Sequence, residues 1–234
     1  MTEPPICCDK LHVGYNGEIV LADLSFTVSY GETVALVGRS GCGKSTILKT
    51  LAGIVPPLAG DASVLSRTVP DSPPPGTLGY IPQGLGLVSH ESVLTNVLHG
   101  RLADLGRVRS LLGRFPEDVK NEALAAIDRV GLSGKEDIRV KELSGGQKRR
   151  VAIARAIVQE PDVLLADEML SELDHETATS IVRCLERLQQ KSGMAVIVVE
   201  HNMDIANEIS DVVLSLGERG IESRTETAVY TMSQ

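Results

Sequence analysis

Three features predict an α/β fold built on a mostly parallel sheet. Residues 33–37 form a short apolar run that leads through a glycine-rich loop into a segment with helical spacing. Two further runs, 162–166 and 195–199, are apolar almost throughout, which suits parallel strands buried on both faces. Between these and the first run, apolar residues in 91–140 recur every three or four positions. The chain therefore reads as a single domain over residues 1–234. An N-terminal antiparallel β layer and the strand–loop–helix core come from 1–85 and 157–234, and an α-helical subdomain is inserted at 86–156.

Each element follows from local pattern. Residues 6–28 read as short strands joined by a turn between Gly14 and Gly17. The helix after the glycine loop carries Ile47, Leu48 and Leu51 on one face and stops near Gly53. Residues 56–76 hold Pro56, Pro57, Pro73, Pro74 and Pro75, so an exposed loop is expected, with one strand near 62–65. Residues 77–82 return to strand character, and Gln83 sits just past its end. In the helical stretch the spaced apolar sets are Val93, Val97 and Leu98, then Val108, Leu111 and Leu112, then Ala123, Leu124, Ile127 and Val130. Helices at 176–190 and about 204–209 would cover the sheet.

The loop itself is Gly38-Arg39-Ser40-Gly41-Cys42-Gly43-Lys44-Ser45-Thr46, which fits G-x-x-x-x-G-K-[ST] between a strand and a helix. Glycines let successive backbone N–H groups turn inward, and the next helix presents its positive end to an anion. Lys44 is positioned by this pattern to reach β- and γ-phosphates, and the Ser45 hydroxyl to join a Mg²⁺ shell. This pattern predicts the core of a P-loop NTPase, so the expected ligands are a nucleoside triphosphate and Mg²⁺.

Composition excludes other classes. The net charge of −8 leaves no basic stripe for a phosphate backbone, and 3% aromatics are too few to stack single-stranded bases, so no nucleic-acid partner is expected. The tight basic cluster Lys148-Arg149-Arg150 reads as a solvated helix face. The longest apolar runs fall far short of the roughly 20 residues of a membrane helix. The N-terminus lacks a signal-peptide pattern, which places the product in the cytoplasm. Cys7, Cys8, Cys42 and Cys184 have neither metal-ligand nor disulfide spacing.

Further motifs carry chemistry. In Leu143-Ser144-Gly145-Gly146-Gln147, Ser144 and Gln147 form a capping box that opens a helix, and the two glycines admit an anion. One nucleotide cannot easily use this site and the phosphate loop in one monomer. Asp167 and Glu168 end an apolar strand where ligands bind in parallel sheets. Asp167 suits Mg²⁺, and Glu168 suits orientation and deprotonation of an attacking water. His201 ends the next strand, where a neutral imidazole suits a γ-phosphate hydrogen bond.

In this order the motifs resemble the nucleotide-binding subunits of ATP-binding-cassette (ABC) transporters over nearly the whole chain. The resemblance implies that Tyr15 stacks on adenine and that Gln83 senses Mg²⁺ and the membrane subunit. It also implies that Leu143 to Gln147 is the signature that caps ATP on the opposite monomer, and that Ser171-Glu172-Leu173-Asp174 crosses the dimer interface. Glu168 becomes the catalytic glutamate and His201 the switch histidine. The implied assembly is an ATP-dependent homodimer on integral membrane permease subunits, at the cytoplasmic face of the membrane, served indirectly by an extracytoplasmic solute-binding protein.

The segment from Ser92 to Leu102, with Ser110 to Pro116 and Ala123 to Leu132, is similar to the ATP-binding subunit of phosphonate importers. That likeness implies uptake of phosphonate or a related phosphorus oxyanion. The alternatives are another importer, or a membrane complex that releases lipoproteins or serves cell division. Met169, His175 and Val212 depart from the family pattern, which has proline at the first two positions and arginine at the third. Met169 bears directly on the backbone that positions Glu168.

Overall fold

The computed structural model describes residues 3–103, 115–171 and 173–227. The expected helical positions Val108, Leu111 and Leu112, and Glu172 of the interface loop, lie outside these residues.

Strands β1 (Ile6–Tyr15) and β2 (Glu18–Val28) form a hairpin. Its turn is Asn16-Gly17, both at positive φ, the pair that matches the twist of a tight hairpin. After β3 (Thr33–Gly38) and α1 (Lys44–Leu51), β4 (Ala59–Val64) pairs with β1, and β5 (Arg67–Thr68) adds the far edge. The antiparallel layer thus has the order β2-β1-β4-β5.

The second sheet is built from β6 (Leu78–Ile81), β7 (Val163–Asp167), β8 (Ala195–Glu200), β9 (Val212–Leu216) and β10 (Ile221–Glu226), around β3. Its order is β10-β9-β3-β8-β7-β6, parallel except for β10 at the edge. The remaining α-helices among the described residues are α2 (Val93–Leu98), α3 (Glu117–Arg129), α4 (Gly145–Gln159), α5 (His175–Ser192) and α6 (Met203–Ile209).

The alternation of side chains along the central strands splits the interior in two. Val34 and Leu36 of β3, Val163 and Leu165 of β7, and Ile197 and Val199 of β8 pack with α1 and the antiparallel layer. Their neighbours Ala35, Val37, Leu164, Ala166, Val196 and Val198 face a second core with α2, α3 and α4. Both faces of these strands are covered, so their sequences are apolar except at the ends, where Thr33, Asp167 and Glu200 stand.

The structure refines several expectations. The 91–140 stretch is broken: α3 ends at Arg129, and Gly131 and Gly134 at positive φ lead a loop whose Arg139 bridges Ser92. Leu124, counted toward the core, is exposed. The proline-rich segment holds a longer strand than expected and a second short one. Strands β9 and β10 had no sequence reading. β10 is exposed or half-exposed along its length, so no apolar alternation marks it.

Candidate functional site

The loop 38–46 sits between β3 and α1 at the carboxyl edge of the parallel sheet. Gly43 caps the helix at φ 110 with no side-chain cap, which leaves the first N–H groups of α1 without a side-chain acceptor. Close approach explains two glycines. A Cβ on Gly38 would stand 2.6 Å from the Leu216 carbonyl, and one on Gly43 would stand 2.8 Å from Val20. Lys44 is buried, and its Nζ donates to the carbonyls of Gly38 (2.7 Å) and Arg39 (2.9 Å), which ties the loop to the start of the helix. Arg39, Ser40 and Gly41 are exposed on the same loop, Cys42 is half-buried, and Ser45 and Thr46 follow within α1.

Next to this loop, Asp167 ends β7 and is buried. Burial raises its pKa, opposed by a hydrogen bond from the Ser45 hydroxyl and the charges of Lys49 and Lys44, while Glu168 pushes it further up. Its Oδ1 is buried with no hydrogen-bond partner. An orphaned carboxylate oxygen beside a serine hydroxyl fits a hard cation that takes oxygen ligands, so Mg²⁺ suits this corner. Among the described residues no cluster of three His, Cys, Asp or Glu side chains is placed to hold a metal. The donor set would therefore combine Asp167, Ser45 and the Gln83 amide oxygen.

Three side chains from separate elements meet beyond Asp167. Glu168 Oε1 lies 2.6 Å from His201 Nε2, and its Oε2 accepts from Gln83 Nε2 at 3.3 Å. Gln83 follows β6, Glu168 follows β7 and His201 follows β8, and these three strands are neighbours. Glu168 adopts φ 55, the left-handed region. Its N–H donates to Val199 and its carbonyl accepts from Ser171 Oγ and from Arg149.

The other sequence candidates stand apart from this cluster. Ser144 caps α4 in a complete capping box with Gln147, and Gly145 and Gly146 open the helix. No hydrogen bond among the described residues joins these four to the 38–46 loop or to Glu168. Tyr15 is exposed at the end of β1. It is near Tyr80, whose hydroxyl is pushed up to about 12 by burial, with Asp167 and Tyr15 adding to the shift.

Sequence reasoning missed the roles of five polar residues around the site. The basic cluster is not a solvated face: Arg149 is buried, and Arg150 donates to the carbonyls of Val130 and Gly131. Arg155 donates to the carbonyls of Leu85 and Gly86, fixing the loop that follows Gln83. Asn96, fully buried, braces the same region through Val88 and Ser92. Glu200 is buried beneath Glu168, and desolvation, with the Glu168 charge, pushes its pKa up to about 7. The helical period of α4 marks Arg149 as inward, but charge alone argued for solvent.

A phosphate loop on a mostly parallel sheet, an antiparallel side layer and a helical insert opening on a capped Ser-Gly-Gly-Gln turn define the ATP-binding cassette. The match to solved structures agrees: a bacterial ABC transporter cassette solved as a dimer superposes with a TM-score of 0.84 at 25% identity, over 96% of this chain and 100% of that one. The chain matches the ABC transporter family over residues 21–171 and belongs to it. It is 40% identical over 212 residues to the phosphonates import ATP-binding protein PhnC of Stutzerimonas stutzeri, covering 85% of this chain and 76% of that protein. It is also 36% identical over 208 residues to the hypophosphite import ATP-binding protein HtxD of the same species, covering 86% of this chain and 61% of that protein.

Proposed function

We propose that this chain is the ATP-hydrolysing subunit of an importer for phosphonates or a related phosphorus oxyanion. It works as an ATP-dependent homodimer on separate membrane permease subunits, with cargo delivered by an extracytoplasmic solute-binding protein. The observation that carries the catalytic reading is the placement of the Glu168 carboxylate between Gln83 and His201, one residue from Asp167. Among the described residues no helix is long and apolar enough to cross a membrane.

The chemistry follows from the donors. The backbone N–H groups of the 38–46 loop and the Lys44 ammonium bind the phosphates of ATP, and Tyr15 stacks on the base. Mg²⁺, held by Ser45, Asp167 and Gln83, would neutralise charge between the β- and γ-phosphates. Glu168 orients the attacking water and accepts its proton, and His201 positions that carboxylate and hydrogen-bonds the γ-phosphate. Ser144, Gly145, Gly146 and Gln147 lie away from this cluster, which suits action on the ATP of the second subunit. Contacts made only in the closed, ATP-bound dimer drive closure, and loss of the γ-phosphate reopens it.

The cargo reading rests on the identity to phosphonate and hypophosphite import proteins. Growth of a deletion strain on methylphosphonate or on hypophosphite as sole phosphorus source tests it, with complementation by wild type or Glu168→Gln. Rescue by wild type alone is expected on at least one source. Growth on both sources without the gene would remove these cargoes, leaving the ATPase reading to stand on its own assay.

A further inference from the structure

The helix α4 sends two guanidinium groups onto backbone carbonyls of the catalytic loops. Arg155 reaches the loop after Gln83, and Arg149 donates through Nη1 to the carbonyl of Glu168 itself. Arg149 lies in the second turn of α4, whose first turn is Gly145-Gly146-Gln147. One rigid helix therefore joins the candidate signature to the peptide that carries the candidate base.

That peptide is strained. Glu168 is a non-glycine residue at φ 55, a conformation that persists only when its surroundings over-determine it. Four bonds do so here: its N–H to Val199, and its carbonyl from the Ser171 N–H, from Ser171 Oγ and from Arg149. Arg149 supplies the charged one, and charge-assisted hydrogen bonds are the stronger kind. Below the same turn, Glu200 is buried, accepts the Leu170 N–H and is attracted by Arg149. Met169 and Leu170 are also buried, so the turn is packed on one side and pinned by charge on the other.

We propose that Arg149 is a positioning residue for ATP hydrolysis, coupling the orientation of the signature helix to the backbone conformation of Glu168. This rests on the reading of Glu168 as the base. Without Arg149 the strained peptide relaxes, and rotation about φ carries the carboxylate away from the attacking water. A displacement of about 1 Å at a catalytic group costs on the order of 10²-fold in rate. In this reading nucleotide affinity is set by Lys44 and the 38–46 loop, whereas Arg149 holds the carbonyl of Glu168, so KM is expected to stay near its wild-type value.

A double-mutant cycle on the full chain tests the inference, with steady-state ATPase, fluorescent-ATP binding and thermal melting on each protein. Arg149→Met keeps the bulk of the stem and removes the donor. It is expected to lower kcat by about 10²-fold with KM changed less than about threefold. Arg149→Lys, which restores a charged donor, should recover most of that loss. In the Glu168→Gln background, Arg149→Met should cost nothing further, because a residue acting through Glu168 cannot act once the base is gone. Wild-type kcat in Arg149→Met, or a full additional loss in the double variant, would overturn the proposal. Should Arg149→Met fail to fold, Arg149→Gln, two bonds shorter and neutral, is read in the same cycle by the same criteria. Equal turnover in wild type and Glu168→Gln would overturn the base assignment itself. Lost turnover in Glu168→Gln with full turnover in Arg149→Met would overturn this inference alone.

Discussion

Glu168 Oε1 and His201 Nε2 lie 2.6 Å apart although 33 positions separate them in the chain. Parallel pairing sets Asp167 opposite Val199, so Glu168 and His201 leave adjacent strands at the same edge of the sheet. The left-handed turn at Glu168 aims its carboxylate across that gap. The carboxylate and imidazole thus form one hydrogen-bonded unit next to Asp167.

Removing the base should separate binding from chemistry. Glu168→Gln is expected to lower kcat by about 10³-fold while ATP still binds, and His201→Ala to lower it by about 10²-fold. With ATP, Glu168→Gln should elute as a dimer in size-exclusion chromatography. A purely monomeric profile would count against the clamp.

Lys44 holds the loop as well as its ligand. Lys44→Ala loses the bonds to Gly38 and Arg39 and the charge aimed at the phosphates. A charged hydrogen bond is worth about 2 kcal/mol, so ATP affinity should fall by about 30-fold in a fluorescence titration. An unchanged Kd would exclude this loop as the phosphate site.

Ser144→Arg should abolish turnover and leave nucleotide affinity intact, since the capped end of α4 makes no hydrogen bond to the loop of its own subunit. Restored hydrolysis on mixing Ser144→Arg with an excess of Glu168→Gln would show action in trans. Normal hydrolysis by Ser144→Arg alone would remove the signature role.

Gly38→Ala tests the close approach at the strand end, where a Cβ would meet the Leu216 carbonyl at 2.6 Å. Overpacking against fixed backbone costs about 2 kcal/mol. For a chain of this size the melting temperature should drop by about 6 °C. An unchanged melt would mean that β9 shifts freely.

Glu200 makes stability depend on pH. Its folded pKa, about 7, stands above the ordinary 4.5, so the folded state holds this proton more tightly than the unfolded chain does. The stability it contributes is complete below pH 4.5 and is lost as pH rises through 7. Relative to Glu200→Gln, the wild type should lose about 3 kcal/mol between those limits in denaturant melts. Parallel curves for the two proteins would show that Glu200 does not titrate in this range.

Features that depend on neighbours in the chain were legible from the residues alone. The glycine loop entering α1, the capping box of Ser144 and Gln147, and the doubly buried strands β3, β7 and β8 are all set by local geometry and burial pattern. Which loops meet depends instead on how distant strands pair. The strand order puts Gln83, Glu168 and His201 side by side. It also turned the apparent surface charge of Arg149 into a buried clamp on Glu168. Strand pairing and the partner of a buried guanidinium are contacts between distant segments, and periodicity shows that a face is buried without showing against what.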